Sequence, residues 1–154
     1  MILVIDGGYS LENKQSFMHN TSVRMLSEEQ QQIKINLINL LKNYKNNLSD
    51  INNYEILLQY NSISDNEKDD IKNKIKCLRL RLMYLDNLIA PLRKSDKKII
   101  YYKFIEGLTY PQILLKLNKY ENVHSIHVRA FKLLDILTLR TNPLIFEGNF
   151  NDKI

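Results

Sequence analysis

Scarcity marks this 154-residue chain: one cysteine, four glycines, three prolines and no tryptophan. The lone Cys77 excludes an internal disulfide and any multi-cysteine zinc site, and within a helical run it reads as a small packing residue. So few glycines and prolines leave little to interrupt helices, and the abundance of Leu, Ile, Lys, Asn and Glu predicts a mainly α fold. No apolar run reaches the roughly 20 residues of a membrane span. The opening MILVID is too short for a signal peptide and has no basic segment before it, so the expectation is a cytoplasmic chain with no membrane partner.

What is present supports a folded, basic protein. Hydrophobic residues make up 44% of the chain, enough to bury a core, and the formal net charge of +5 favours anionic partners, nucleic acid first. Met1–Asp6 reads as a short β-strand ending in Gly7-Gly8, with Pro143–Phe146 or a symmetry mate as its pairing candidate. The Asp-Gly-Gly turn is a weak phosphate-binding signal, because no alternating strand–helix pattern follows it.

Two capping boxes then open helices. In Ser27-Glu28-Glu29-Gln30 and Ser64-Asp65-Asn66-Glu67, the serine hydroxyl and the side chain three residues on can each satisfy a free backbone N–H. The first helix carries a stripe of Ile33, Leu37, Leu40, Leu41, Tyr44 and Leu48, with Asp50–Tyr60 continuing or restarting it. The second carries Ile71, Ile75, Leu78, Leu82, Leu85 and Ile89, stepping alternately by four and three. That is the narrow seam of a helical hairpin or coiled coil, and it fits either the first stripe or the same element of a second subunit. Pro91 ends it. Residues 27–92 therefore read as a helical hairpin and oligomerising segment, preceded by a strand and loop over residues 1–26.

Beyond Pro91 the pattern changes. Ser95 is predicted to cap a helix from Asp96 to about Ile105, with Gly107 as its stop. Thr109 caps Tyr110–Leu117, where Pro111 is tolerated in the first turn. Asn118-Lys119-Tyr120 breaks the chain, and a second helix runs from about Asn122 to Leu139 with Val123, Ile126, Ala130, Leu133, Leu134 and Leu137 inward. A short helix, a polar break and a longer helix form a helix-turn-helix pattern over residues 93–142, with a tail at 143–154. Ten basic residues lie between Arg93 and Arg140 against four acids, so the net positive charge gathers here.

In that arrangement the helix starting near Asn122 enters the major groove with its first turns at base edges. Tyr120, Glu121, His124 and Ser125 are the base-edge candidates, while Thr109, Lys116, Lys119, Arg129 and Lys132 are suited to phosphate. His124 and His127 have metal-compatible spacing but no third ligand nearby, and no nucleophile–base set or paired carboxylates emerge. The expectation is a protein with no metal, no cofactor and no enzymatic activity.

The run PLRKSDKKIIYYKFIEGLTYPQILLKLNKYENVHSIHVRAFKLLDIL, Pro91–Leu137, resembles region four of bacterial sigma factors. More specifically it resembles the sigma-like C-terminal domain of phage transcriptional regulators of the ArpU/RinA type. The likeness rests on Asp-Lys-Lys-Ile-Ile, on Phe-Ile-Glu-Gly-Leu-Thr and on Val-His-Ser-Ile-His-Val-Arg-Ala-Phe. It implies base-reading positions at Glu121, His124 and Ser125 and a phosphate contact at Thr109. It also implies a phage or prophage late-gene regulator that binds double-stranded DNA in the host cytoplasm, with RNA polymerase or a second copy of itself as further partner. The competing expectation is a helical protein–protein adaptor that does not bind DNA.

Overall fold

The computed structural model describes residues 25–117 and 122–147, and these are mainly helical. Six α-helices follow one another: α1 (Glu28–Lys42), α2 (Tyr44–Leu57), α3 (Asp65–Ile89), α4 (Lys94–Ile100), α5 (Tyr110–Leu117) and α6 (Val123–Leu139). A π-helical turn, Tyr101–Ile105, extends α4, and a 3₁₀ turn, Pro143–Phe146, follows α6. The strand expected at Pro143–Phe146 is thus corrected. Asn142 Oδ1 accepts the Leu144 N–H at 3.0 Å, and Pro143 starts a helical turn instead of pairing with a neighbour. The strand expected at Met1–Asp6 lies outside the described residues. No described helix is long and apolar enough to cross a membrane.

Both predicted capping boxes form. Ser27 N–H donates to Gln30 Oε1 at 2.9 Å and Gln30 N–H to Ser27 Oγ at 3.1 Å; Ser64 and Glu67 make the same exchange at 3.0 and 3.2 Å. The first stripe, by contrast, is not one continuous helix. At Asn43 the backbone leaves helical geometry (φ −90°, ψ 4°), and the Asn43 side-chain amide donates to the Asn39 carbonyl at 3.0 Å. This is the local competition that makes Asn a helix breaker. Its consequence is a change of partner: α1 packs on α6 and the π turn, whereas α2 packs on α3.

Two apolar clusters result. The larger joins Leu37, Leu40 and Leu41 of α1, Leu85 and Leu88 of α3, Ile99 and Ile100 of α4, Phe104 and Ile105 of the π turn, and Ala130, Leu133, Leu134 and Leu137 of α6. The smaller holds Ile51 of α2 with Ile75, Leu78 and Leu82 of α3. The predicted seam of α3 is therefore filled within the chain, by α2 along its first part and by the larger core along its last. Leu48, expected on the buried stripe, is exposed.

The helix expected from a Ser95 cap is corrected too. Arg93 is the extended N-cap residue, and α4 begins at Lys94. The π turn explains an otherwise awkward pattern, since the buried pairs Ile99-Ile100 and Phe104-Ile105 are five residues apart. An α-helix would rotate the second pair away from the first, whereas a turn closed five residues back, as in Glu106 N–H to Tyr101 O at 2.8 Å, brings it round again. Gly107 then takes φ +73°, a left-handed value that other residues adopt at a cost, and so stops the helix.

Candidate nucleic-acid interface

The pair α5–α6 is built from its caps inward. Thr109 N–H donates to Gln112 Oε1 at 2.9 Å while Gln112 N–H donates to Thr109 Oγ1 at 3.3 Å, a third capping box. The Thr109 side chain lies exposed at the start of α5 with its hydroxyl proton free of that exchange, where it can donate to an anion. Ile113 on α5 and Ile126 on α6 are both fully buried as the two helices pack together. At their edge the Tyr110 ring lies 4.9 Å from His127, which meets Phe131 edge-on at 5.0 Å. His127 is thus an aromatic packing residue. Burial raises the Tyr110 phenol pKa.

α6 begins with Asn122, whose Oδ1 accepts the Ser125 N–H at 2.8 Å. This cap fixes the first turn and leaves the His124 and Ser125 side chains exposed. Lys132 is exposed two turns beyond Ser125 on the same line, and Val128 stands between them, 41% exposed. Val123, expected in the buried stripe, is exposed as well. Lys116 is exposed at the end of α5 with its ammonium 5.8 Å from the centre of the Tyr102 ring. Tyr120, Glu121 and Lys119 lie outside the described residues.

Arg129, expected at a phosphate, is engaged within the chain. Its Nε donates to Asp96 Oδ1 at 2.6 Å, and its terminal nitrogen pairs with the same oxygen. Arg93 Nε holds the other oxygen, Oδ2, at 3.2 Å. Asp96 is only 5% exposed, so this carboxylate needs its cations, and Arg129 is drawn in to serve it. The spacing from Asp96 to Arg129 gives no local signal in the sequence.

The other described acids of this part are engaged in the same way. Lys34 of α1 meets Asp135 at 2.8 Å, and Lys45 of α2 meets Glu106 at 2.8 Å. Hydrogen bonds from Lys45 and then Tyr101 hold the Glu106 carboxyl below its ordinary range, and the same contact with Glu106 raises Lys45. By contrast, none of Lys97, Lys98, Lys116 and Lys132 has an ion-pair partner among the described residues. Two further residues join the surface that sequence reasoning did not single out. Val128 is placed by its helical step from His124 and Ser125, and Lys103 lies 4.2 Å over the Tyr110 ring beside the α5 N-terminus. The helical step was legible in the sequence, but the Lys103 contact depends on how the π turn is aimed.

No group of three or more His, Cys, Asp or Glu side chains is gathered for a metal among the described residues. Comparison with protein-family models, curated proteins and solved structures found no match to this chain.

Proposed function

We propose that this protein is a sequence-specific binder of double-stranded DNA that regulates transcription, reading the major groove with the first turns of α6. The observation that carries the reading is electrostatic. In residues 93–140 each described acid is tied to a basic group, two of them to lysines from α1 and α2. Lys116 and Lys132, on the two helices of the pair, are left for phosphate. His124 and Ser125 offer hydrogen bonds to base edges, and the exposed Val128 suits a thymine methyl group. Thr109 at the α5 cap takes a backbone phosphate, as do Lys116, Lys132 and Lys119. Tyr120 and Glu121 complete the base-reading set. Arg129 serves this surface as a positioning residue through Asp96.

The likeness of Pro91–Leu137 to sigma region four and to ArpU/RinA-type regulators supports a phage or prophage late-gene role in the host cytoplasm, with RNA polymerase as a partner. In this reading the protein carries out no chemistry of its own. Self-association through residues 27–92 would use the outer faces of α2 and α3, where Ile56, Leu80 and Met83 are exposed, because the inner seam is filled. Those same exposed residues favour the second reading, a protein–protein adaptor.

Fluorescence anisotropy with duplexes from the DNA flanking its own coding sequence separates the two. The regulator reading expects tight, salt-sensitive binding to one fragment, with preference among sequences altered by His124→Ala. Absence of salt-sensitive binding to any fragment, together with capture of a protein partner, supports the adaptor.

A further inference from the structure

A groove lies where the start of α2, the end of α3, α4 and the π turn meet, and it borders α5 through Tyr102, whose ring lies 5.8 Å from the Lys116 ammonium. Its volume is about 490 Å³, with Ile89 in its apolar lining, Tyr44, Tyr101 and Tyr102 around it, and Lys97 and Lys98 along one side. That volume falls within the range of about 300–1,000 Å³ typical of small-molecule sites.

The chemistry of the lining selects an occupant. Lys97 and Lys98 have no carboxylate partner among the described residues, and the lining contains a single acid, Asp86. Asp86 is already half used, since Tyr44 Oη donates to its Oδ1 at 2.8 Å. Its second oxygen remains to accept from a hydroxyl or an amino group. Tyr101 is held from outside the groove by Glu106, which Lys45 in turn fixes. Two free ammonium groups call for an anion, and phenol rings beside an apolar residue offer a stacking surface to a flat ring. The free carboxylate oxygen calls for a donor on the same ligand. A bare inorganic ion would satisfy only the lysines.

We propose that this groove binds a nucleoside monophosphate. The phosphate lies against Lys97 and Lys98, the base against the tyrosines, and a sugar hydroxyl or exocyclic amine donates to Asp86. Because the walls come from α2 and α3 on one side and from α4 and the π turn on the other, the ligand ties the two parts together and raises the melting temperature on binding. The site stands independently of any DNA binding by α6.

The test is isothermal titration of the full chain with AMP and CMP as purine and pyrimidine probes, and with adenosine and inorganic phosphate as fragments. One site per chain is expected for at least one nucleotide, with each fragment about tenfold weaker or more. Lys97→Gln/Lys98→Gln should weaken nucleotide binding about tenfold or more, since each lysine makes a charged hydrogen bond. Lys132→Gln on α6 should leave it unchanged. Both lysines are exposed, and an unaltered circular dichroism spectrum and unliganded melting temperature establish that the double variant folds. The proposal is overturned if neither nucleotide binds at millimolar concentration, if phosphate alone binds as well as the nucleotide, or if the double variant binds as the natural chain does. It is overturned equally if Lys132→Gln abolishes binding, which would place the nucleotide on the α5–α6 face.

Discussion

The two apolar clusters divide the molecule unequally. Thirteen buried residues from four helices and the π turn form the larger one, and four residues from two helices form the smaller. The larger core backs α6 with side chains from α1, α3 and α4, so the proposed reading helix is held from several directions. The α2–α3 cluster has one layer of packing, supplemented by partly buried Tyr44, Tyr54, Leu58 and Ile71 and by the exposed Arg79–Glu55 ion pair. Such a pair contributes little at the surface. α1 therefore belongs energetically with the proposed DNA reader that follows it, although more than fifty residues separate them in sequence. Among the described residues, the outer part of the α2–α3 hairpin has the thinner packing.

Substitutions can break this contrast, and the largest effect is expected in the main core. Leu134→Ala removes a fully buried side chain of the larger cluster, and should cost about 2–5 kcal/mol in urea unfolding. Leu78→Ala in the hairpin should fall toward the bottom of that range, because one layer of packing can relax around the gap. Native-state hydrogen exchange should likewise show α2 amides opening at lower free energy than those of α6. Equal costs and equal protection would mean that the two clusters act as one.

Asp96→Ala should come next, at about 1–3 kcal/mol. The lost carboxylate was buried, but Arg129 is about a third exposed and can turn back to water, so the full penalty of a stranded charge is not expected. Asn122→Ala removes the α6 cap and should cost about 1 kcal/mol, read from the same denaturation midpoints.

A further effect is confined to alkaline pH. Burial, aided by the hydrogen bond to Asp86, pushes the Tyr44 phenol from 10.0 up to about 12. Folding thus keeps Tyr44 protonated where the unfolded chain ionises. Its contribution is fully present below pH 10 and is lost as pH rises toward 12. Tyr44→Phe should therefore flatten the fall in stability between those values relative to the natural chain. Parallel curves for the two proteins would show that Tyr44 titrates as an ordinary phenol.

Much of the architecture was legible because it is local. Ser27, Ser64 and Thr109 announce their helices by hydroxyls three residues ahead of a partner side chain, and Gly107 marks a stop that only its own backbone requires. Periodicity also identified most of the inner faces of α3 and α6. What stayed hidden was long-range choice of partner. Asn43 looks like any polar residue on a helix, yet its bend sends α1 to one core and α2 to another. The π turn was visible only as the unusual five-residue spacing of Ile99-Ile100 and Phe104-Ile105. At the candidate site, His124, Ser125, Lys116, Lys132 and Thr109 are exposed where helical spacing put them. The pairing of Arg129 with Asp96 was not legible, because the two lie 33 residues apart.

The proposal that α5 and α6 bind DNA rests on Lys116 and Lys132, which have no ion-pair partner among the described residues. It is tested most directly by measuring affinity against salt concentration for the natural chain, Lys116→Gln/Lys132→Gln and Lys72→Gln, a lysine on α3. With an affected duplex in hand, the double variant should bind more weakly across all sequences, and its log–log salt slope should be shallower by about two. Lys72→Gln should match the natural chain. An unchanged slope in the double variant, or an equal loss in Lys72→Gln, would contradict the claim.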